Sequence, residues 1–288
     1  MEERIAAPAA PVAEEVGQLY DRMTGIAADF LGDDAQLGYN AHLGYWDTPD
    51  SELTYDEATD RLTDVMLERL RIGAGGRLLD VGCGVGAPAV RIARLTGASV
   101  TGISVSGEQI ARAEALARET PFPDRLDFRL ADAMELPFPD ASFDAVMALE
   151  SMCHMPDRMQ VYREMRRVLR PGGRIVATDF HGRSASPCPD RLALQQTMGS
   201  TTVRIDDYPQ LIRTSGLRFL ELRDITDETL PRSFAFLAER AEQLRFEFDD
   251  TEAACFYNPQ SVIDVPALGY LLVVAQRPLV GAPRPLDD

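Results

Sequence analysis

The spacing of apolar residues along this chain keeps switching between two periods. The stretch RLLDVG, Arg77 to Gly82, is a short β-rich run bounded by a glycine and reads as a strand. GAPAVRIARLTG, from Gly86 to Gly97, follows with apolar residues at helical spacing and a glycine where the helix should close. The unit then repeats. SVTGIS (Ser99 to Ser104) predicts a second strand, and SGEQIARAEALARE a second helix with Ser106 as its N-cap. LDFRLAD (Leu126 to Asp132) and FDAVMALE (Phe143 to Glu150) predict further strands. A helix from Asp157 to Leu169, a PGG turn and the strand RIVATDF (Arg174 to Phe180) complete the series. Repeated strand and helix imply an α/β fold, a doubly wound parallel sheet with helices on both faces.

Both ends of the chain depart from this rhythm. Ahead of Arg77, helical spacing covers Val16 to Leu31 and the stretch TYDEATDRLTDVMLERL. These predict a helical cap over residues 1–70, closing on a core of residues 71–180 that holds the ligand. Beyond it, DDYPQLIRTSG predicts a helix, while LRFLELRDIT (Leu217 to Thr226) and GYLLVVAQR (Gly269 to Arg277) predict strands. The helix SFAFLAERAEQLRFEF stands between those strands. Hence the sheet should be mostly parallel with an antiparallel last strand, and residues 181–278 should finish the core and carry a lid inserted before that strand. The whole reads as one domain without internal repeats. The first dozen residues and the tail 279–288, rich in Pro, Ala and acid, are expected to fray.

Composition narrows the partners. With 288 residues and 45% hydrophobic content the chain can bury a substantial core. A formal charge of −17 repels phosphate backbones and anionic lipid, which argues against nucleic acid and membrane partners. No run reaches the length of a membrane helix, and MEERIAAPAAPVAEE lacks the basic and apolar regions of a signal peptide, so a cytoplasmic protein is expected. Cys83, Cys153, Cys188 and Cys255 are scattered without zinc spacing or a disulfide framework, implying free thiols and no metal site. A homodimer stays open.

LLDVGCGVGAPA, from Leu78 to Ala89, carries the first chemistry. Glycines at Gly82, Gly84 and Gly86 follow a strand, as in a nucleotide site, but the third falls one place early for a dinucleotide fingerprint. A tight strand-to-helix turn would ask for the same glycines. Asp80 stands where a strand-end carboxylate receives an amino group or orients the turn. The second strand ends in Ser104 where a nicotinamide site wants an acid, and Asp132 ends the third.

Taken with PFPDASFDAVMALE and HMPDRMQVYREMRRVLRPGGRIVATDF, this order resembles the class I S-adenosylmethionine-dependent methyltransferases over roughly Tyr20 to Pro278. LGYW, VTGISVS, ADAMELPFPDASFDAV and ALESMCHMPDR resemble in particular the rebeccamycin sugar O-methyltransferase type, among small-molecule enzymes of natural-product and antibiotic pathways. Sarcosine and tocopherol methyltransferases and cyclopropane fatty acid synthases look more distant. The resemblance implies a Rossmann-like sheet and S-adenosyl-L-methionine as cofactor. It implies that Gly82 to Gly86 approach the methionine moiety, with Asp80 supporting its ammonium. Ser104 and Gln109 would then meet the ribose, Asp132 and the Ala133 backbone the adenine, and Met134 either the ring or the core. Tyr20, Tyr45 and Trp46 would cover the sulfonium and close the pocket, since an aromatic face suits a cation, with buried packing the alternative for Trp46.

Methyl transfer is an in-line displacement, and a hydroxyl acceptor needs its proton removed. His154 stands past the fourth strand, where ligands of open sheets gather. The rebeccamycin type has a His-His pair here, assisted by an aspartate that matches Asp179; this chain reads Cys153-His154. Either His154 takes over as base, or the acceptor needs none. Glu150 and Asp179 are candidates for orienting His154 or binding the acceptor, and His42 and His181 flank the pocket in sequence. The expected activity is O-methylation of a small secondary metabolite. Methylation of carbon or nitrogen on an electron-rich ring such as an indole is the alternative, and so is a cyclase or binding scaffold that keeps the cofactor pocket.

Overall fold

The computed structural model of the protein describes residues 12–31, 40, 42–183, 200–244 and 268–279. Among the described residues there are eight strands, β1 (Arg77–Val81), β2 (Ser99–Ser104), β3 (Leu126–Leu130), β4 (Phe143–Ala148), β5 (Leu169–Gly182), β6 (Val203–Arg204), β7 (Arg218–Asp224) and β8 (Leu268–Gln276). They form one sheet in the order β3-β2-β1-β4-β5-β8-β7, with the short β6 paired to β5. β8 is antiparallel to both neighbours, β5 and β7, and the remaining pairs are parallel. The strand order reverses between β1 and β4, and such a reversal opens a crevice at the carboxyl ends of the strands.

Strands buried on both faces must read as nearly continuous apolar runs. In β1, Leu78 packs into one hydrophobic cluster and Leu79 and Val81 into a second on the opposite face. β8 divides likewise, with Tyr270, Leu272 and Val274 on one side and Leu271, Val273 and Ala275 on the other. Helices α2 (Tyr55–Leu70), α3 (Ala87–Thr96) and α4 (Gly107–Glu119) cover the first face, and α5 (Arg158–Val168) and α6 (Tyr208–Thr214) the second. The predicted caps form: Ser106 accepts from the Gln109 N–H, and Gly97 closes α3 in the left-handed conformation at φ 73°. Thr54 and Glu57 add a reciprocal capping box to α2.

The two predicted N-terminal helices do different work. α2 buries Leu62 and Met66 completely and is a layer of the core. α1 (Ala13–Leu31) instead lies against α4 and α7 (Thr226–Leu244), at the mouth of the crevice. α7 begins seven residues before the predicted Ser233, with Pro231 inside it. Buried Leu230 and Phe234 hold the helix onto the first core face on either side of the proline, and packing outweighs the hydrogen bond that a proline removes. The PGG stretch likewise lies inside β5, where Gly172 takes φ 84° and the β4–β5 register shifts between Phe143 and Ala145. Beyond α7, the predicted lid lies outside the described residues, as do both chain ends, residues 184–199, Cys188 and Cys255. Cys83 and Cys153 are free and buried. Among the described residues no helix is long and apolar enough to cross a membrane.

Candidate active site

A cavity of about 980 Å³, partly open to solvent, fills the crevice at the carboxyl ends of β1, β2 and β4. Tyr20, Asp80, Gly82, Gly84, Ser104, Gln109, Asp132, Ala133, Glu150 and His154 all line it, so most of the residues expected from the sequence converge. Gly86, Met134, Tyr45, Trp46 and Asp179 do not.

The three glycines of the turn have positive φ, but their surroundings differ. A Cβ on Gly82 would overlap the Ser151 side chain, whose hydroxyl donates to the Val81 carbonyl at 2.6 Å and ties β4 to β1. On Gly86 it would lie 2.9 Å from the Phe128 ring and 3.0 Å from Ala113, so this glycine serves the packing of α3 and α4 against β3. On Gly84 it would meet nothing within 4 Å. Gly84 therefore leaves bare backbone on the cavity wall. Next to it, Asp80 is only 1% exposed, and neither carboxyl oxygen has a hydrogen-bond partner in the protein. Burial pushes its pKa up to about 7. An orphaned carboxylate on a cavity wall is suited to a cationic group of a ligand.

On the β2 side, the Ser104 hydroxyl donates to Gln109 Oε1 at 2.7 Å and accepts from the Ser106 N–H at 3.1 Å. That bond assigns the Gln109 oxygen inward and leaves its amide N–H groups as the donors for a ligand. Asp132 Oδ1 accepts from the Met134 N–H at 2.8 Å, which fixes the carboxylate beside Ala133 at the end of β3. Met134 itself packs against the second core cluster.

The stretch His42 to Trp46 corrects an expectation. Tyr45 and Trp46 do not cover the cavity: both are buried in structure beside it. The Trp46 indole donates to the Leu53 carbonyl at 3.0 Å and Arg232 stacks over its ring at 4.6 Å. Tyr45 belongs to the first core cluster. Their backbone is pinned throughout: the Leu43 N–H donates to Glu150 Oε2, Gly44 to Ser233, Tyr45 to the Ala58 carbonyl and Trp46 to the Glu228 carbonyl. The residue of this strap that reaches the cavity is His42. Its Nδ1 bonds the Leu43 carbonyl at 3.0 Å, so Nδ1 carries the proton and Nε2 is a bare acceptor. Burial lowers its pKa to about 4, keeping the ring neutral.

At the end of β4, the residues Met152–His154 form a 3-10 turn that presents His154 to the cavity. His154 Nε2 and the Tyr20 hydroxyl are 2.7 Å apart, with the rings edge to face. Tyr20 comes from α1, across the cavity mouth. Glu150 sits at φ 53°, a left-handed conformation rare outside glycine, which turns its side chain from the strand toward the cavity. Its Oε2 accepts from the Leu43 N–H at 3.1 Å and the Tyr270 hydroxyl at 2.8 Å. Burial raises its pKa to about 7 against those two bonds. The Cys153 thiol is raised well above its usual range by burial and donates to the Glu150 carbonyl. A protonated thiol cannot replace a basic imidazole.

Asp179 is also placed otherwise than expected. It is fully buried behind the cavity wall, where Arg158 Nε donates to it at 2.7 Å and the Tyr208 hydroxyl donates as well. His181 lies outside the cavity too; it packs over Gly269, with Nε2 3.6 Å from Asp224. Ser151, Leu149 and Met155 line the cavity without having been singled out. Ser151 could be found only from its contact with Gly82, far away in the sequence.

A crevice at the switch point of a doubly wound sheet, walled by bare glycine backbone and an orphaned carboxylate, defines a protein that binds a nucleotide-like cofactor with a cationic group. Comparison with known proteins takes the class to a family. A family profile described as "Methyltransferase domain" matches residues 79–177. The chain is 42% identical over 280 residues to 27-O-demethylrifamycin SV methyltransferase of Amycolatopsis mediterranei (strain S699), covering 93% of this chain and 98% of that one. It is 40% identical over 270 residues to methyltransferase GfsG of Streptomyces halstedii, covering 92% and 95%. Among solved structures, the [4+2]-cyclase SpnF superposes with a TM-score of 0.81 at 32% identity, over 96% of this chain and 100% of that one. The chain belongs to the class I S-adenosylmethionine-dependent methyltransferases, and S-adenosylmethionine is its cofactor. The residues present fit that molecule. Asp80, buried without a partner, would answer an ammonium, Gly84 would allow close backbone approach, and Gln109 and Asp132 would offer polar contacts to the nucleoside.

Proposed function

We propose that this enzyme methylates a hydroxyl group of a neutral small secondary metabolite, with His154 as the proton acceptor. The observation that carries the reading is the His154–Tyr20 pair on the cavity wall at the end of β4. When bound, the cofactor would supply an electrophilic methyl group, its sulfur–methyl bond breaking as the new bond forms so that S-adenosylhomocysteine leaves as a neutral thioether. An alcohol becomes a competent nucleophile as its proton leaves, and the Tyr20 hydroxyl, bonded to Nε2, orients the ring and relays that proton to it. As the new oxygen–methyl bond forms, the proton from the acceptor ends on His154. Glu150, held by Leu43 and Tyr270, binds the acceptor hydroxyl on the adjoining wall. α1 and the apolar side chains of Val16, Leu149 and Met155 exclude water from the reacting centre.

The neutrality of the acceptor rests on charge. Asp80, Asp132 and Glu150 line the cavity, while no arginine or lysine does so among the described residues. An anionic acceptor would meet repulsion there. The relatives support a hydroxyl acceptor: one is a 27-O-demethylrifamycin SV methyltransferase, and another is the O-methyltransferase resE of Aspergillus sclerotiorum, 37% identical over 269 residues.

Methyl-labelled cofactor, incubated with the protein and a panel of neutral hydroxylated polyketides and glycosides, tests this. Label in an O-methyl group is expected. Label on carbon or nitrogen would overturn the hydroxyl assignment. A second reading, a cyclase that keeps the cofactor without using its methyl, is favoured by the likeness to SpnF. It predicts cofactor binding with no label transfer to any acceptor.

A further inference from the structure

We propose that Arg158 is a positioning residue for methyl transfer: through Thr201 it holds the turn that carries His154. The inference rests on His154 being the proton acceptor. Arg158 heads α5 and is buried, and its guanidinium is spent on two partners. Nε donates to Asp179 Oδ2 at 2.7 Å and Nη2 to Oδ1 at 3.4 Å. On its other side, Nη1 donates to the Thr201 hydroxyl and Nη2 to the Thr201 carbonyl, both at 2.6 Å. Thr201 in turn donates its N–H to the Cys153 carbonyl at 2.7 Å, and its hydroxyl lies 3.4 Å from the same oxygen. Cys153 is the residue before His154. The line runs from Asp179 at the end of β5, through Arg158 and Thr201, to the backbone of the 3-10 turn.

Two features separate this arrangement from ordinary core packing. A buried ion pair is a weak source of stability, because well-packed apolar residues replace such pairs at little cost. A planar guanidinium, by contrast, can bind a carboxylate with one edge and a second group with the other, which a lysine cannot. The turn's internal bonds, His154 N–H to the Ser151 carbonyl and Met155 N–H to the Met152 carbonyl, fix its shape. The Thr201 contact fixes where it sits relative to β5. Asp179, expected beside the base, thus acts on it at one remove, by orienting Arg158. Misplacing a reacting group by about an ångström costs about 10²-fold in rate.

The test uses a variant that removes the buried charge entirely, Arg158→Met with Asp179→Leu and Tyr208→Phe, and a second, Arg158→Lys, that keeps the charge but not the fork. The chain has three histidines, so ¹⁵N histidine spectra resolve His154 once each signal is assigned by substitution. Expected in both variants are near-parental melting and S-adenosylhomocysteine affinity, shifted His154 ring signals, and a kcat lower by about 10²-fold with KM nearly unchanged. A merely structural pair would move melting and leave the His154 signals and kcat alone in the folded variant; that result overturns the proposal, as do shifted signals with unchanged kcat. If the triple variant does not fold, Arg158→Lys decides by the same readouts. The spectra need no acceptor. Failure of the parent to methylate any hydroxyl would therefore count against the proposed function, while unmoved His154 signals would count against the positioning role.

Discussion

The two walls of the cavity are built in opposite ways. The wall proposed to hold the cofactor comes from residues close in sequence at the ends of β1, β2 and β3 and the start of α4: Asp80 to Gly84, Ser104 with Gln109, and Asp132 with Ala133. Each group is placed by its own strand and the turn after it. The acceptor wall is assembled from distant pieces. Tyr20 and His154 are 134 residues apart, Leu43 and Glu150 are 107 apart, and Glu150 and Tyr270 are 120 apart. A wall made by local turns is fixed as soon as the strands pair, whereas a wall made by long-range contacts depends on several elements docking together. Changes should therefore strike binding on one side and turnover on the other.

The sharpest division comes from His154→Ala. Methyl transfer should fall about 10²- to 10⁴-fold, while S-adenosylhomocysteine affinity, read by calorimetry, stays near the parental value. Equal losses in both would merge the two walls into one. Next is Gly82→Ala, which forces a Cβ into Ser151 at φ 81° and should cost about 2–4 kcal/mol of stability. Gly84→Ala meets open space and should cost only about 1 kcal/mol. Denaturant unfolding would compare them, and equal costs would remove the distinction drawn between these glycines.

Asp80 gives a pH dependence. With its pKa raised to about 7 by burial, the free protein holds a proton there between the ordinary carboxylate range and pH 7. This group's contribution to stability is therefore largest in acid and declines as pH rises toward 7. Binding of a cation requires the ionised form. Cofactor affinity should consequently weaken by up to about tenfold per pH unit below 7 and level off above it. Asp80→Asn should abolish the slope; titrations from pH 5.5 to 8, in approximate steps of half a unit, would show a surviving slope if another group carries it. The smallest effect is expected for Trp46→Phe. It removes the bond to the Leu53 carbonyl, costs about 1 kcal/mol in unfolding, and leaves cofactor affinity alone. A large loss of affinity would return Trp46 to the cavity.

Much of the architecture was legible because it is written locally. Ser106 as a cap, Gly97 as a stop and the limits of β2 follow from single residues and a two-residue period. The same holds for the glycine turn and Asp132. Legibility declined wherever a role depends on what lies opposite. Tyr45 and Trp46 are aromatic and close in sequence to cavity residues, yet the strap is laid down so that its aromatic side chains face the core and His42 faces the ligand. α7 starts at Thr226, ahead of the predicted Ser233, because Leu230 and Phe234 pack on the core. Asp179 carried the right chemistry at a strand end, but a strand buried on both faces sends alternate residues away from a pocket.

By itself, then, the sequence determined the doubly wound sheet, the family and the strand-end residues that line one side of the cavity, because strand period, glycine spacing and strand-end acids act over a few residues. Only the tertiary structure decided the acceptor wall. It brought Tyr20 to His154, turned Glu150 against Leu43 and Tyr270, and withdrew Asp179 to Arg158. Those are contacts between elements whose separation along the chain carries no signal of their distance in space, and whose geometry is set by how whole helices and strands pack.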